Sequence, residues 1–189
     1  MTARPAPRPA PATYLITGIQ AAGKSSVAQA LATRLPAPAV HVHGDQFRRW
    51  IVTGRADMSP DPTTDAIDQL RLRHRITAAT CDQYAGAGFH VVAQDVLLGP
   101  HLRFTVDLIS SRPLHVVVLA PSPDAIAGRE AGRAKDSYDR WTIEQLDHGL
   151  RHETPRIGLW LDSSDLGVDE TVDAILARHE ESLVARPEQ

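Results

Sequence analysis

Residues 14–33, YLITGIQAAGKSSVAQALAT, decide how the rest of the chain is read. A short apolar run, Tyr14-Leu15-Ile16, meets Gly18, and Gly18 to Ser25 spells G-x-x-x-x-G-K-S. An amphipathic helix pattern follows, with Val27, Ala30 and Leu31 on one side. Gly18 and Gly23 permit backbone angles that a Cβ would forbid, so successive N–H groups can face phosphate oxygens. The helix start behind them adds its positive dipole end. Lys24 is placed to reach β and γ phosphates, and the Ser25 hydroxyl suits Mg²⁺. The expected nucleotide cradle is therefore Gly18, Ala21, Ala22, Gly23, Lys24, Ser25 and Ser26, with ATP and Mg²⁺ as ligands. A plain glycine turn that happens to contain Lys-Ser is the alternative. A strand before and a helix after favour the phosphate-binding loop.

The 189 residues suffice for one domain with a full core and hardly for two. With 20 Lys and Arg against 23 Asp and Glu, the net charge of −3 offers no electrostatic reason for a nucleic-acid or membrane partner. Cys81 is the sole cysteine, so no intrachain disulfide forms, which fits a reducing cytoplasm. No stretch reaches membrane-spanning length. Residues 1–12, rich in Pro and Ala, read as a disordered arm. Residues 13–184 read as a single domain with a lid around 122–140.

Taken in order, strands are expected at 13–17, 39–43, 89–93, 114–119 and 157–161. Helices are expected at 24–34, 46–52, 64–87, 100–111, from Pro123 through Arg129 and Arg133, at 142–152, and at 168–182. The long helix turns Ile67, Leu70, His74, Ala78, Cys81 and Ala85 to one side. Strands apolar on both faces, alternating with helices, predict an α/β three-layer sandwich around a five-stranded parallel sheet. Its ligand belongs at the carboxyl ends of the strands.

Asp45 follows the second strand and Asp95 the third, so both belong on the edge that carries the phosphate loop. Asp95 is the candidate metal carboxylate, with Ser25, and Asp45 the candidate catalytic acceptor of a hydroxyl proton. Their plainer roles are a helix cap and a turn former. Arg129 and Arg133, four apart, share a helix face and with Lys135 can fold over a triphosphate. A solvated basic face is the alternative. Lys24, Arg129 and Arg133 complete the catalytic set. His148 and His152 have zinc spacing, but no further ligand accompanies them, and a solvent-facing helix is the expectation. His41 and His43 face one way from the second strand. Arg71, Arg73 and Arg75 spread around the long helix, most of them exposed, with one available to an acceptor pocket. Tyr138 and Trp141 read either as packing or as an acceptor wall.

The phosphate loop, H-G-D-Q-F after strand two, Q-D-V-L-L-G after strand three and G-R-E-A-G-R in the fourth helix resemble the chloramphenicol phosphotransferases. More broadly they are similar to small P-loop kinases of the nucleoside-monophosphate-kinase type. The resemblance covers roughly residues 13 to 180. It implies a sheet of order 2-3-1-4-5, Asp45 as base for the accepting hydroxyl, Asp95 at the metal, and Arg129 and Arg133 in the lid. It also implies that loop 162–166 frames the adenine base. Segment 54–64, where that family places its acceptor, matches poorly, so a small-molecule hydroxyl acceptor is expected more firmly than an antibiotic. Two other functions share the motif. One is a nucleotide-switched ATPase; the N-K-x-D signature that reads guanine is absent. The other is a kinase of nucleic-acid ends, disfavoured by the charge balance.

Overall fold

The computed structural model describes residues 10–131 and 141–185. Strands β1 (Thr13–Thr17), β2 (Ala39–His43), β3 (His90–Gln94), β4 (Leu114–Leu119) and β5 (Leu159–Leu161) form one sheet in the order β2-β3-β1-β4-β5. All four pairings are parallel, as the sequence predicts. Side chains alternate along the strands between two cores. Leu15, Val91, Val116 and Val118 point one way and meet Leu102, Ile126 and Leu150. Tyr14, Ile16, Val92, Val117 and Leu119 point the other way and meet Val27, Leu31, Val172 and Ile175. Helices α1 (Lys24–Arg34) and α7 (Val168–Ala177) therefore cover one face. Helices α3 (Thr64–Gly86), α4 (Pro100–Leu108), α5 (Pro123–Ala131) and α6 (Ile143–His148) cover the other. No described helix is long and apolar enough to cross a membrane.

Some boundaries differ from the sequence reading, each for a local reason. Helix α2 (Gly44–Arg49) begins directly at the end of β2, so Asp45 lies in its first turn and His43 is the cap. Edge strand β2 is half-buried, with only Val42 buried, unlike the interior strands. Helix α4 stops at Leu108 because the Asp82 carboxylate accepts from the amides of Ser110 and Ser111. The last helix breaks at Arg178 and resumes as α8 (His179–Ser182). The break lets the Ser182 hydroxyl meet His115 Nδ1 at 2.9 Å and Val184 donate to the Leu114 carbonyl. After α6 the chain widens into a π turn, Gly149–Glu153. Thr154 pins it, donating to the Gly149 carbonyl and accepting from the Gly99 amide at 2.7 Å.

Candidate functional site

Register decides what meets at the carboxyl edge of the sheet. Ile16 and His43 both sit opposite Gln94, so the chain just beyond them, Thr17-Gly18, Gly44 and Asp95, emerges together. A Cβ on Gly18 (φ 147°) would stand 2.5 Å from the Leu119 carbonyl oxygen, so the loop can leave β1 only with glycine there. Gly23 (φ 94°) caps α1 in the left-handed region. Ala21 (φ 58°) is the one non-glycine residue with positive φ among the described residues. That conformation costs of order 1 kcal/mol, and it bends the main chain into an anion-binding concavity. The Ala22 amide closes onto the Ile19 carbonyl at 3.2 Å, whereas the amides of Ala21 and Gly23 have no carbonyl partner among the described residues. Lys24, 9% exposed, folds over the loop with Nζ 2.7 Å from the Ile19 carbonyl. Ser25 and Ser26 are exposed at the start of α1. Open donors, a helix start and an ammonium group fit a triphosphate.

Two carboxylates face this loop across one cleft of about 1290 Å³ that Lys24, Ser25, Asp45 and Asp95 all line. Asp95 is 4% exposed. It accepts from the Val96 amide at 2.7 Å, and its Oδ2 lies 3.0 Å from Arg73 Nε. A Cβ on Gly44 would stand 2.2 Å from that same Oδ2, so the two strand ends close only because residue 44 has no side chain. Burial pushes the Asp95 carboxyl up, and Arg73, the Val96 amide and Lys24 pull it back only in part. A buried carboxylate of this kind, opposite an exposed Ser25 hydroxyl, fits a hard divalent cation. Among the described residues no group of three or more His, Cys, Asp or Glu side chains is arranged for a metal. His148 and His152 stand on an exposed surface with ring centroids 4.8 Å apart.

Asp45 is held differently. Arg48 Nε donates to Oδ1 at 2.9 Å, Arg49 Nε donates to Oδ2 at 2.8 Å, and Arg73 stands 3.6 Å away. Burial would raise its carboxyl, but the hydrogen bonds and charges of Arg48 and Arg49 outweigh that and hold it below its ordinary value. Arg73 thus bridges the two carboxylates from α3, while Arg71 and Arg75 are exposed. Arg48 also donates to Asp57 at 2.6 Å, which draws loop 54–64 against the cleft. Gln69 fixes the same loop through the Ala56 amide and the Gly54 carbonyl. Sequence reasoning missed Arg48, Arg49, Asp57 and Gln69. The one available signal was D-x-x-R-R from Asp45, the i, i+3 and i, i+4 spacing of a carboxylate with two guanidinium groups.

Arg129 donates to the carbonyls of Ser163, Ser164 and Ala22, the last at 3.5 Å. It ties the phosphate loop to loop 162–166 rather than standing alone on a solvated helix face. Arg133, Lys135 and Tyr138 lie outside the described residues. His41 and His43 line the cleft with ring centroids 3.9 Å apart, and His43 pairs with Gln94 at 2.9 Å. Burial and the neighbouring His43 lower His41 to about 4, so it is neutral at pH 7. Trp141 lines the cleft and packs on the core below it, so it serves as both packing and wall.

No curated protein matches the sequence. Solved structures of similar shape include a sugar kinase from Janibacter sp. HTCC2649, 18% identical with a TM-score of 0.67, covering 92% of this chain and 96% of that one. The APS kinase of Mycobacterium tuberculosis, in complex with AMPPNP and APS, is 19% identical with a TM-score of 0.65, covering 92% and 99%. The tunicamycin resistance protein of Deinococcus radiodurans is 17% identical with a TM-score of 0.62, covering 93% and 99%. At these identities the likeness is one of fold. A family model described as an AAA domain matches residues 14–155, from β1 through the π turn, and the chain belongs to that AAA-domain family.

Proposed function

We propose that this protein is an ATP-dependent phosphotransferase that moves a γ-phosphoryl group to the hydroxyl of a small molecule. One observation carries the reading. The G-x-x-x-x-G-K-S loop, Asp95 and Asp45 converge on a single cleft, with Arg73 between the carboxylates. The loop amides and Lys24 bind the triphosphate tail. Ser25 and Asp95 would hold Mg²⁺, which would supply positive charge against the phosphates. Asp45 orients the acceptor hydroxyl and takes its proton. The acceptor oxygen forms the new P–O bond as the bond from γ-phosphorus to the β-phosphate oxygen breaks, and ADP leaves. A depressed pKa suits Asp45 to this task in one respect: it stays ionised and ready at neutral pH. It is a weak base, so the proton moves late, once bonding to phosphorus has acidified the hydroxyl. Arg129 frames the nucleotide between the phosphate loop and loop 162–166, and Arg133 stabilises the transferring group.

Two fold neighbours are kinases of small molecules by name, which supports this class over a nucleotide-switched binding protein. The sequence resemblance to chloramphenicol phosphotransferases, and the tunicamycin resistance neighbour, support a finer proposal of an antibiotic or nucleoside-like acceptor. The test is incubation with Mg-ATP and panels of nucleosides, sugars and antibiotics, read by mass spectrometry. One added phosphoryl group on an acceptor supports the proposal. ADP release with every acceptor unchanged would favour the switch.

A further inference from the structure

The acceptor half of the cleft is built for a particular kind of molecule. Large apolar side chains left in water cluster where something covers them. Of the exposed ones here, Trp50 (64% exposed), Leu72, Ile76 and Tyr84 all line this cleft. Leu72 and Ile76, four apart, form one stripe along α3, and Tyr84, edge-on to Phe89 at 5.5 Å, lies eight residues further along. Trp50, from the end of α2, lines the same cleft, edge-on against Phe47 at 5.3 Å. A polyol or unmodified sugar would leave this surface unmatched.

Charge adds a second requirement. Arg48, Arg49 and Arg55 share two carboxylates, Asp45 and Asp57, so one guanidinium is in excess. Of the two that line the cleft, Arg48 and Arg49, Arg49 is the more open, its side chain 57% exposed against 33%. Its Nε donates to Asp45, and its two terminal nitrogens have no partner among the described residues. It adjoins Trp50 in sequence, and both line the cleft. A planar fork beside an exposed aromatic wall recognises a carboxylate, sulfonate or phosphate on an apolar body.

We infer that the acceptor is a hydroxylated organic oxyanion with an apolar or aromatic body. The body lies between Trp50 and the α3 stripe, the anion meets Arg49, and the hydroxyl meets Asp45. This rests on the phosphotransferase reading for the role of the hydroxyl, but the site's chemistry can be tested without turnover.

The probes are 8-anilinonaphthalene-1-sulfonate and N-phenyl-1-naphthylamine, which share an aromatic body and differ by the sulfonate. Each is titrated by fluorescence into the full chain with saturating Mg-AMPPNP, so that the nucleotide cradle is filled. The sulfonate should bind at one site per chain and roughly tenfold or more tighter than its neutral twin, the scale of a charge-assisted bond. Arg49→Gln should erase that difference. Trp50→Ala should weaken both probes, and far-UV circular dichroism verifies that each variant is folded. Equal binding of the two probes, no binding of the sulfonate, or binding indifferent to Arg49→Gln and Trp50→Ala would overturn the inference. Calorimetry of Mg-AMPPNP alone reports separately on the nucleotide site, so a failure there counts against the phosphotransferase reading and leaves the probe comparison to be judged on its own.

Discussion

Asp45 and Gly44 are adjacent yet should fail in different ways when changed. Asp45→Asn keeps the shape of the side chain and removes its charge, so nucleotide binding should persist. Phosphoryl transfer should fall roughly a hundredfold or more, the usual contribution of a positioned acid or base. Single-turnover transfer beside AMPPNP calorimetry checks this, and full transfer in the variant would remove Asp45 from the chemistry. Gly44→Ala touches no ligand directly. Its methyl group would occupy the space of the Asp95 carboxylate, so that carboxylate must move. An ångström of misplacement is enough to cost roughly a hundredfold in rate. The expected signature is slow turnover that rises with added Mg²⁺ in a protein whose circular dichroism is unchanged. Normal turnover would show that Asp95 tolerates displacement. Asp45 and Asp95 were legible from sequence because each follows an apolar strand that had to end at the ligand edge. Arg49 and Gly44 were not, since an arginine in a short polar helix and a glycine after a strand look ordinary until the register of β2 and β3 is known.

Helix α3 carries two unusual neighbours. Arg73 pairs with Asp45 and Asp95, and the next residue, His74, is fully buried with both ring nitrogens unpartnered among the described residues. His74 packs edge-on to His101 at 5.5 Å and beside Phe104. Burial first, then the charges of Arg73 and His101, lowers it to about 3. The unfolded chain takes up this proton near pH 6.5 and the folded chain does not until about pH 3. Stability from His74 is therefore intact above 6.5 and declines as pH falls toward 3, by about 1.4 kcal/mol per pH unit for one proton. His74→Phe should flatten the loss between pH 7 and pH 5 by about 2 kcal/mol. Urea unfolding at the two pH values measures it, and an unchanged difference would mean that His74 does not govern the acid limb. At this scale the sequence was a good guide to which elements exist and a poor one to where they stop. Nothing in residues 168–182 marks the break at Arg178, because its cause is distant: docking of Ser182 and Val184 on β4. The π turn likewise answers to Thr154 and Gly99, which periodicity cannot see.

Over the whole molecule, the strand order places the G-x-x-x-x-G-K-S loop, Asp95 and Asp45 on one edge while both faces of the sheet are sealed by helices. That much followed from alternating apolar runs and one motif, because a parallel sheet leaves few other places for a ligand. The acceptor could not be read the same way, since the cleft walls beyond Asp45 come from α2, α3 and loop 54–64, which Arg48, Gln69 and Arg73 help to join. The whole account stands on the loop gripping a triphosphate. The direct measurement is calorimetric titration of Mg-ATP into the full chain and into Lys24→Ala. One site per chain, weakened roughly tenfold or more once the ammonium is removed, is the expected result. No heat from the unmodified protein, or equal affinity in both, would contradict it.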